Sequence, residues 1–113
     1  MNIQIFGTKK CNDTKKAERF FKERGIKYQF VDMKEKGLSK GEFNSVCQAV
    51  GGYEKLIDEN CKDKDLLALI KYIAEEDRAE KILENQKVLK LPIVRNGKQA
   101  TVGYQPDVWK GWK

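Results

Sequence analysis

Cysteine is the residue type in this chain whose chemistry can be tied most directly to a place in the sequence. The cysteines are Cys11, Cys47 and Cys61, and there is no histidine. Their number is odd and no two are closely spaced, which argues against a disulfide framework and against a zinc site. Because no imidazole is available, a reactive thiol would have to be activated by backbone N–H groups and by lysine or arginine.

Cys11 stands where a short strand over residues 2–6 gives way, after a turn, to a helix. Free N–H groups and the positive end of the helix dipole at such a point stabilise an anion, and a thiolate is an anion. Lys10 and Lys15 add positive charge on either side, and the hydroxyl of Thr14 could donate a hydrogen bond to the sulfur. We therefore predict that Cys11 and Thr14 are the catalytic residues and that Lys10 and Lys15 contact the substrate.

The other two cysteines have different surroundings. Cys47 falls on the apolar face of a predicted helix with Phe43 and Val46, so we expect it to be buried. Cys61 lies between an asparagine and a lysine, and we expect it to be substantially more exposed. Whether Cys61 is a resolving thiol or an incidental cysteine stays open at this point.

The predicted elements follow the order β-α-β-α, a helical insert, and then β-β-α. The strands are predicted at residues 2–6, 26–33, 88–95 and 99–102, and the insert spans about 53–85 in three short helical pieces. This order predicts one α/β domain over residues 1–113, with a parallel βαβ half and an antiparallel ββα half. Asn96-Gly97 favours a type I′ turn between the last two strands, and Ser39 with Glu42 predicts a capping box.

Pro92 falls inside a predicted strand, where it removes a ladder donor. A cis proline that begins a strand beside the cysteine is one explanation, although only about 5–6 % of X–Pro bonds in folded proteins are cis. An edge or loop proline in the trans form is the other explanation.

The bulk charge predicts a soluble, lysine-rich surface. The net charge is +6, but the lysines are scattered among acidic residues, which argues against direct nucleic-acid binding. The start of the chain is too short and polar for a signal peptide, and no apolar run approaches the ~18 residues of a membrane span. We expect a cytoplasmic protein.

Four segments together carry a resemblance to the arsenate-reductase (ArsC)/Spx-like family. They are CNDTKKA at 11–17, GYEKLI at 52–57, LPIV at 91–94, and VGY followed by DVW at 102–109. The match runs in the same order along essentially the whole chain. It implies a thioredoxin-like, three-layer fold with a mixed four-stranded sheet, a cis peptide at Pro92, and a substrate site that includes Leu91 and Pro92.

The sequence also departs from the family pattern. Leu91 stands where these arsenate reductases have an oxyanion-binding arginine, another arginine aligns with Asp58, and a third falls near Tyr104 or Gln105. A guanidinium suits a tetrahedral oxyanion and leucine does not, which argues against arsenate reduction. Spx-type regulators have a Cys-x-x-Cys switch, and Thr14 at the second position excludes a disulfide within that motif.

The resemblance and the lone thiol together predict a monothiol redox protein. Cys11 would form a mixed disulfide with an oxidised substrate, and a small thiol such as glutathione or a redoxin partner would release it. No bound cofactor or metal is expected, and the protein is expected to be a monomer. Two alternatives stay open: an Spx-like transcription adaptor that binds RNA polymerase, and an arsenate reductase with altered anion ligands.

Overall fold

A mixed four-stranded β-sheet forms the centre of the computed structural model, which describes residues 1–112. The strands are β1 (Ile3–Gly7), β2 (Tyr28–Asp32), β3 (Ile93–Asn96) and β4 (Gln99–Val102). Their order across the sheet is β2-β1-β3-β4, with β1 and β2 parallel and the other neighbours antiparallel. The predicted parallel first half and antiparallel second half are both confirmed.

Within residues 1–112, five helices surround the sheet. They are α1 (Asn12–Glu23), α2 (Lys40–Val50), α3 (Lys64–Tyr72), α4 (Glu75–Glu84) and α5 (Pro106–Trp109), with short 3₁₀ turns at Tyr53–Leu56 and Gln86–Val88. The first 3₁₀ turn, α3 and α4 are the three pieces of the predicted helical insert. Over the residues described, none of the helices is long and apolar enough to cross a membrane.

The sheet separates two apolar cores, because successive side chains along a strand point to opposite faces. Ile3 and Ile5 face one core, where Ala17 and Phe21 of α1 and Trp109 of α5 cover the sheet. The other core lies beneath α2 and the insert. Its buried members include Phe6, Val31, Phe43, Val46, Leu56, Leu67, Ile82 and Ile93. The predicted three-layer, thioredoxin-like fold is therefore confirmed.

Local sequence determines several element ends. Ser39 accepts a hydrogen bond from the Glu42 N–H while the Glu42 side chain accepts one from the Ser39 N–H, which confirms the predicted capping box. Gly51 ends α2 with φ of 90°, a left-handed conformation that favours glycine.

The predicted type I′ turn between β3 and β4 is wrong. Asn96 pairs with Gln99, so the two loop residues are Gly97 and Lys98. A type I′ turn needs positive φ at both loop positions, but only Gly97 has it, at 60°. Because glycine occupies the first loop position, the turn has the φ signature of type II′.

The strand predicted over 88–95 begins later than the sequence pattern indicates. Residues 88–90 pair instead with the insert, through hydrogen bonds from the Asp58 N–H to the Val88 carbonyl and from the Lys90 N–H to the Leu56 carbonyl, each 2.7 Å. The Leu91–Pro92 peptide is cis, as predicted, and β3 starts at the next residue. Pro92 therefore precedes the strand and removes no donor from its ladder.

Candidate active site

Cys11 occupies the N-cap position of α1. Its backbone is extended, with φ of −77° and ψ of 120°, and its N–H donates to the Thr8 carbonyl at 3.2 Å. The Cys11 side chain is half-buried and does not cap the N–H groups of the first helical turn. The thiol therefore lies beside backbone donors at the positive end of a 12-residue helix.

The peptide before Pro92 forms the other side of the site. Cys11 Sγ lies 3.9 Å from the Leu91 carbonyl oxygen, within the range of a weak thiol hydrogen bond. The pairing of Phe6 with Ile93 places Pro92 level with Gly7, the last residue of β1. The site therefore lies at the end of β1, the start of α1 and the residues just before β3. It brings together Cys11, Leu91 and Pro92.

Thr14 lies close to the thiol in sequence, but it does not form the predicted hydrogen bond to the sulfur. Its side chain is fully buried, and its hydroxyl has no hydrogen-bond partner within residues 1–112. A Cβ atom at Gly7 would overlap this side chain, so Thr14 faces the end of β1. Position 14 is on the same inward face of α1 as Ala17, which explains why its side chain points towards the sheet.

Lys10 and Lys15 stand on the solvent side of the cysteine. Lys10 lies in the turn before α1, Lys15 lies in the first turn of the helix, and both are exposed. Neither forms an ion pair with any of the residues described. They contribute positive charge at the rim of the site.

The exposures predicted for Cys47 and Cys61 are reversed in the structure. Cys61 is buried at 9 % exposure, and its Sγ lies 3.7 Å from the Lys87 carbonyl oxygen. Its polar neighbours misled the prediction, because the chain around it is folded onto residues 86–90 and carries the thiol into the core. Cys47 is only half-buried; burial, with a smaller contribution from Glu54, raises the pKa of its thiol.

The positions that align with the family's arginines supply no cation to the thiol. Leu91 is apolar, and Asp58 accepts a hydrogen bond from the Asn60 N–H at 2.9 Å. Arg95 does not replace the missing guanidinium, because it lies opposite Gln4 in the sheet and donates to the Gln4 side chain at 2.8 Å. In the part of the chain that the structure covers, no three His, Cys, Asp or Glu residues form a candidate metal centre.

A cleft next to the thiol was not predicted from the sequence. Its volume is about 390 Å³, and it is lined by Thr8, Met33, Lys34, Gln86, Lys87, Leu89 and Leu91. These residues come from the turn before α1, the end of β2, and the segment before β3. No single motif contains them, so only the folded chain could reveal the cleft.

Comparison with known proteins identifies the family. A sequence model of the ArsC family matches residues 6–112. The chain belongs to the ArsC family. It is 29 % identical to the global transcriptional regulator Spx 2 of Oceanobacillus iheyensis over 109 residues, which cover 95 % of this chain and 80 % of that protein.

Solved structures share the fold of this ArsC-family chain. An ArsC family related protein from Bacteroides fragilis superposes with a TM-score of 0.85 at 20 % identity, covering 100 % of this chain and 98 % of that one. An arsenate reductase from Vibrio cholerae gives a TM-score of 0.76 at 22 % identity, covering 96 % of this chain and 94 % of that one. At these identities the likeness shows the fold alone.

Proposed function

We propose that this ArsC-family protein catalyses thiol–disulfide exchange through the single thiol of Cys11. The observation that supports this most strongly is the position of Cys11 Sγ, at the first turn of α1 and 3.9 Å from the carbonyl that precedes the cis proline. The helix N-terminus stabilises a thiolate there, and Lys10 and Lys15 at the rim attract an anionic substrate or leaving group. Such chemistry suits a reducing compartment, and we place the protein in the cytoplasm.

The proposed cycle has two exchange steps. The Cys11 thiolate attacks the glutathione sulfur of a protein–glutathione disulfide, forming a Cys11–glutathione disulfide and releasing the protein thiolate. A second glutathione thiolate then attacks the bound glutathione sulfur, giving oxidised glutathione and regenerating the Cys11 thiolate. The substrate disulfide is reduced by two electrons, and no bound cofactor takes part. A redoxin partner could replace the second glutathione in the same chemistry.

The backbone at Leu91 offers a place for an extended substrate chain. Within residues 1–112 the Leu91 N–H has no backbone partner, and its carbonyl accepts only the contact from the Cys11 thiol. A substrate strand lying beside Leu91 and Pro92 could use both groups in strand-like pairing. This would bring a disulfide in that strand against Cys11 Sγ.

Turnover of a glutathionylated peptide, with glutathione as reductant, tests the proposal. We expect turnover by the wild-type protein and its loss in Cys11→Ser, whereas Cys47→Ser should retain it as a matched control. Cys61→Ala should also retain it, provided that its folding is verified by circular dichroism. Full turnover by Cys11→Ser would refute the proposal.

A transcription adaptor that binds RNA polymerase is the second candidate function. It is favoured by the 29 % identity to a protein named as a global transcriptional regulator, over 95 % of this chain. Thr14 at the second motif position means that such an adaptor would work without a Cys-x-x-Cys disulfide. Co-purification of tagged protein with RNA polymerase, unaffected by Cys11→Ser, would support this candidate over the redox enzyme.

A further inference from the structure

The cleft described above lies beside the thiol site and shares two residues with it. Leu91 lines the cleft and its carbonyl lies 3.9 Å from Cys11 Sγ, while Thr8 lines it and accepts the Cys11 N–H at 3.2 Å. Two residues that contact Cys11, one at its sulfur and one at its backbone N–H, therefore also line the cleft. A group attached near the sulfur of a bound disulfide would enter this space of about 390 Å³.

The inner surface of the cleft is apolar. Leu89 is 4 % exposed, and Met33 and Leu91 are half-buried, so most of the apolar surface left to cover belongs to Met33 and Leu91. An occupant that covered them would gain the free energy of removing apolar surface from water. None of the three side chains offers a strong hydrogen bond to a polar ligand.

Two of the polar side chains in the walls, those of Gln86 and Lys87, already have partners. The Gln86 amide accepts from the Leu38 N–H at 2.8 Å and donates to the Leu38 carbonyl at 2.9 Å. Lys87 forms a 2.8 Å ion pair with Asp63. Lys34, the other lysine in the walls, forms no ion pair with any of the described residues. The cleft therefore favours an apolar group over a polar one.

We propose that the cleft is a specificity site for peptide or protein disulfides in which a leucine-sized apolar side chain neighbours the reacting sulfur. This rests on the proposed thiol–disulfide exchange at Cys11. A volume of about 390 Å³ has room for one such side chain and its adjoining backbone. With such a substrate, Cys11 Sγ bonds to the peptide sulfur, and not to a glutathione sulfur as in the cycle above. The substrate disulfide breaks, and the other half leaves as a thiolate. Glutathione, which has no apolar side chain, would serve as reductant rather than as the preferred first substrate.

Two short peptides that differ at one residue test the site. Each carries a cysteine in a mixed disulfide with the same chromogenic aromatic thiol, and the residue beside the cysteine is leucine in one and serine in the other. The chromogenic thiolate leaves when Cys11 attacks the peptide sulfur, so its release gives the second-order rate constant. We expect the leucine peptide to react at least about tenfold faster, because even a single methylene in an apolar pocket is worth about tenfold or more.

Substitutions of residues that line the cleft test whether the cleft causes the preference for the leucine peptide. Met33→Gln and Leu91→Asn should each reduce the leucine-to-serine rate ratio towards one. In Met33→Gln, at a position that lines the cleft but does not contact Cys11, the rate for the serine peptide should change little. Leu69→Asn is the matched control, because Leu69 is 44 % exposed on α3 and does not line the cleft. It should leave the ratio unchanged.

The outcomes separate the two proposals. Equal rates for both peptides, with both reactions lost in Cys11→Ser, would overturn the cleft proposal and leave the proposed function standing. A leucine preference that survives both cleft variants would overturn it as well. If neither peptide reacts with Cys11, the proposed function fails and the cleft proposal fails with it.

Discussion

Three thiols in one small protein have three different environments. Cys11 is half-buried at a helix start, Cys61 is buried against the Lys87 carbonyl, and Cys47 is half-buried on α2. Burial, with a smaller contribution from Glu54, raises the pKa of Cys47, so that thiol stays protonated to higher pH than a free cysteine. The differences among them determine which thiol is available as a nucleophile.

We predict that iodoacetamide modifies Cys11 first, because its thiol is accessible and lies at the N-terminus of α1. Cys47 should lag at neutral pH and react faster only as the pH rises through its raised pKa. Cys61 should react last, on opening of the core. Peptide mass spectrometry over time and pH measures all three, and the protein unfolded in urea is the control in which their rates should converge. Faster native modification of Cys47 or Cys61 would contradict the prediction.

Gly7 and Thr14 form a second residue-scale contact that supports the site. The backbone of Gly7 has no unusual φ, but a Cβ there would overlap the buried Thr14 side chain. We predict that Gly7→Ala lowers the free energy of unfolding by about 1–3 kcal/mol through overpacking.

Thr14→Ala should relieve most of this clash, so the double variant should be more stable than Gly7→Ala alone. A double-mutant cycle by urea denaturation measures the coupling, which adjacent residues show and distant residues do not. If the changes in the free energy of unfolding of the two single variants simply add in the double variant, the contact between Gly7 and Thr14 does not cause the destabilisation by Gly7→Ala.

At the scale of elements, the segment from Gln86 to Pro92 organises the site. It contacts the insert through Val88 and Lys90, buries Cys61 beneath the Lys87 carbonyl, and presents the Leu91 carbonyl to Cys11. The Gln86 side chain attaches it to the loop before α2 through two hydrogen bonds with the Leu38 backbone. A segment made of one 3₁₀ turn and four residues outside any helix or strand therefore connects the insert to the thiol.

We predict that Gln86→Glu destabilises the protein by about 1–3 kcal/mol, because the carboxylate replaces the amide donor and leaves the Leu38 carbonyl without its partner. Gln48→Glu is the matched control, since Gln48 is exposed on α2 and should change stability by less than about 0.5 kcal/mol. Urea unfolding followed by circular dichroism measures both. Equal effects of the two changes would contradict the role assigned to Gln86.

The sequence was sufficient to predict elements whose determinants are local. The alternation of polar and apolar side chains predicted β1, and the helical spacing of Ala17, Phe20 and Phe21 predicted α1. Ser39, three residues before Glu42, predicted the capping box of α2. Features that depend on distant segments were not predictable in this way. The burial of Cys61 and the cleft both depend on how residues 86–91 lie against the rest of the chain.

At the scale of the whole molecule, the chain belongs to the ArsC family and shares the fold of an arsenate reductase, yet the positions that align with anion-binding arginines hold other residues. Leu91 stands beside the thiol, Asp58 aligns with an arginine of the family, and Arg95 donates to Gln4. Lysines at the rim could attract a doubly charged oxyanion, but they lack the bidentate geometry that would orient it for attack.

We therefore predict that the purified protein reduces arsenate poorly or not at all, with glutathione and glutaredoxin or with thioredoxin as the reducing system. The rate of arsenate reduction in a coupled assay, with an active arsenate reductase as the positive control, tests this prediction. Robust turnover that is abolished by Cys11→Ser would restore arsenate as a substrate and refute this prediction.

The central claim is that one thiol carries the exchange, and intact-protein mass spectrometry after reaction with a glutathionylated peptide tests it most directly. The account predicts a single mixed-disulfide adduct that maps to Cys11, is released by added glutathione, and forms equally fast in the Cys47→Ser/Cys61→Ala variant. An internal disulfide between Cys11 and another cysteine, with turnover lost in that double variant, would contradict a single-thiol mechanism.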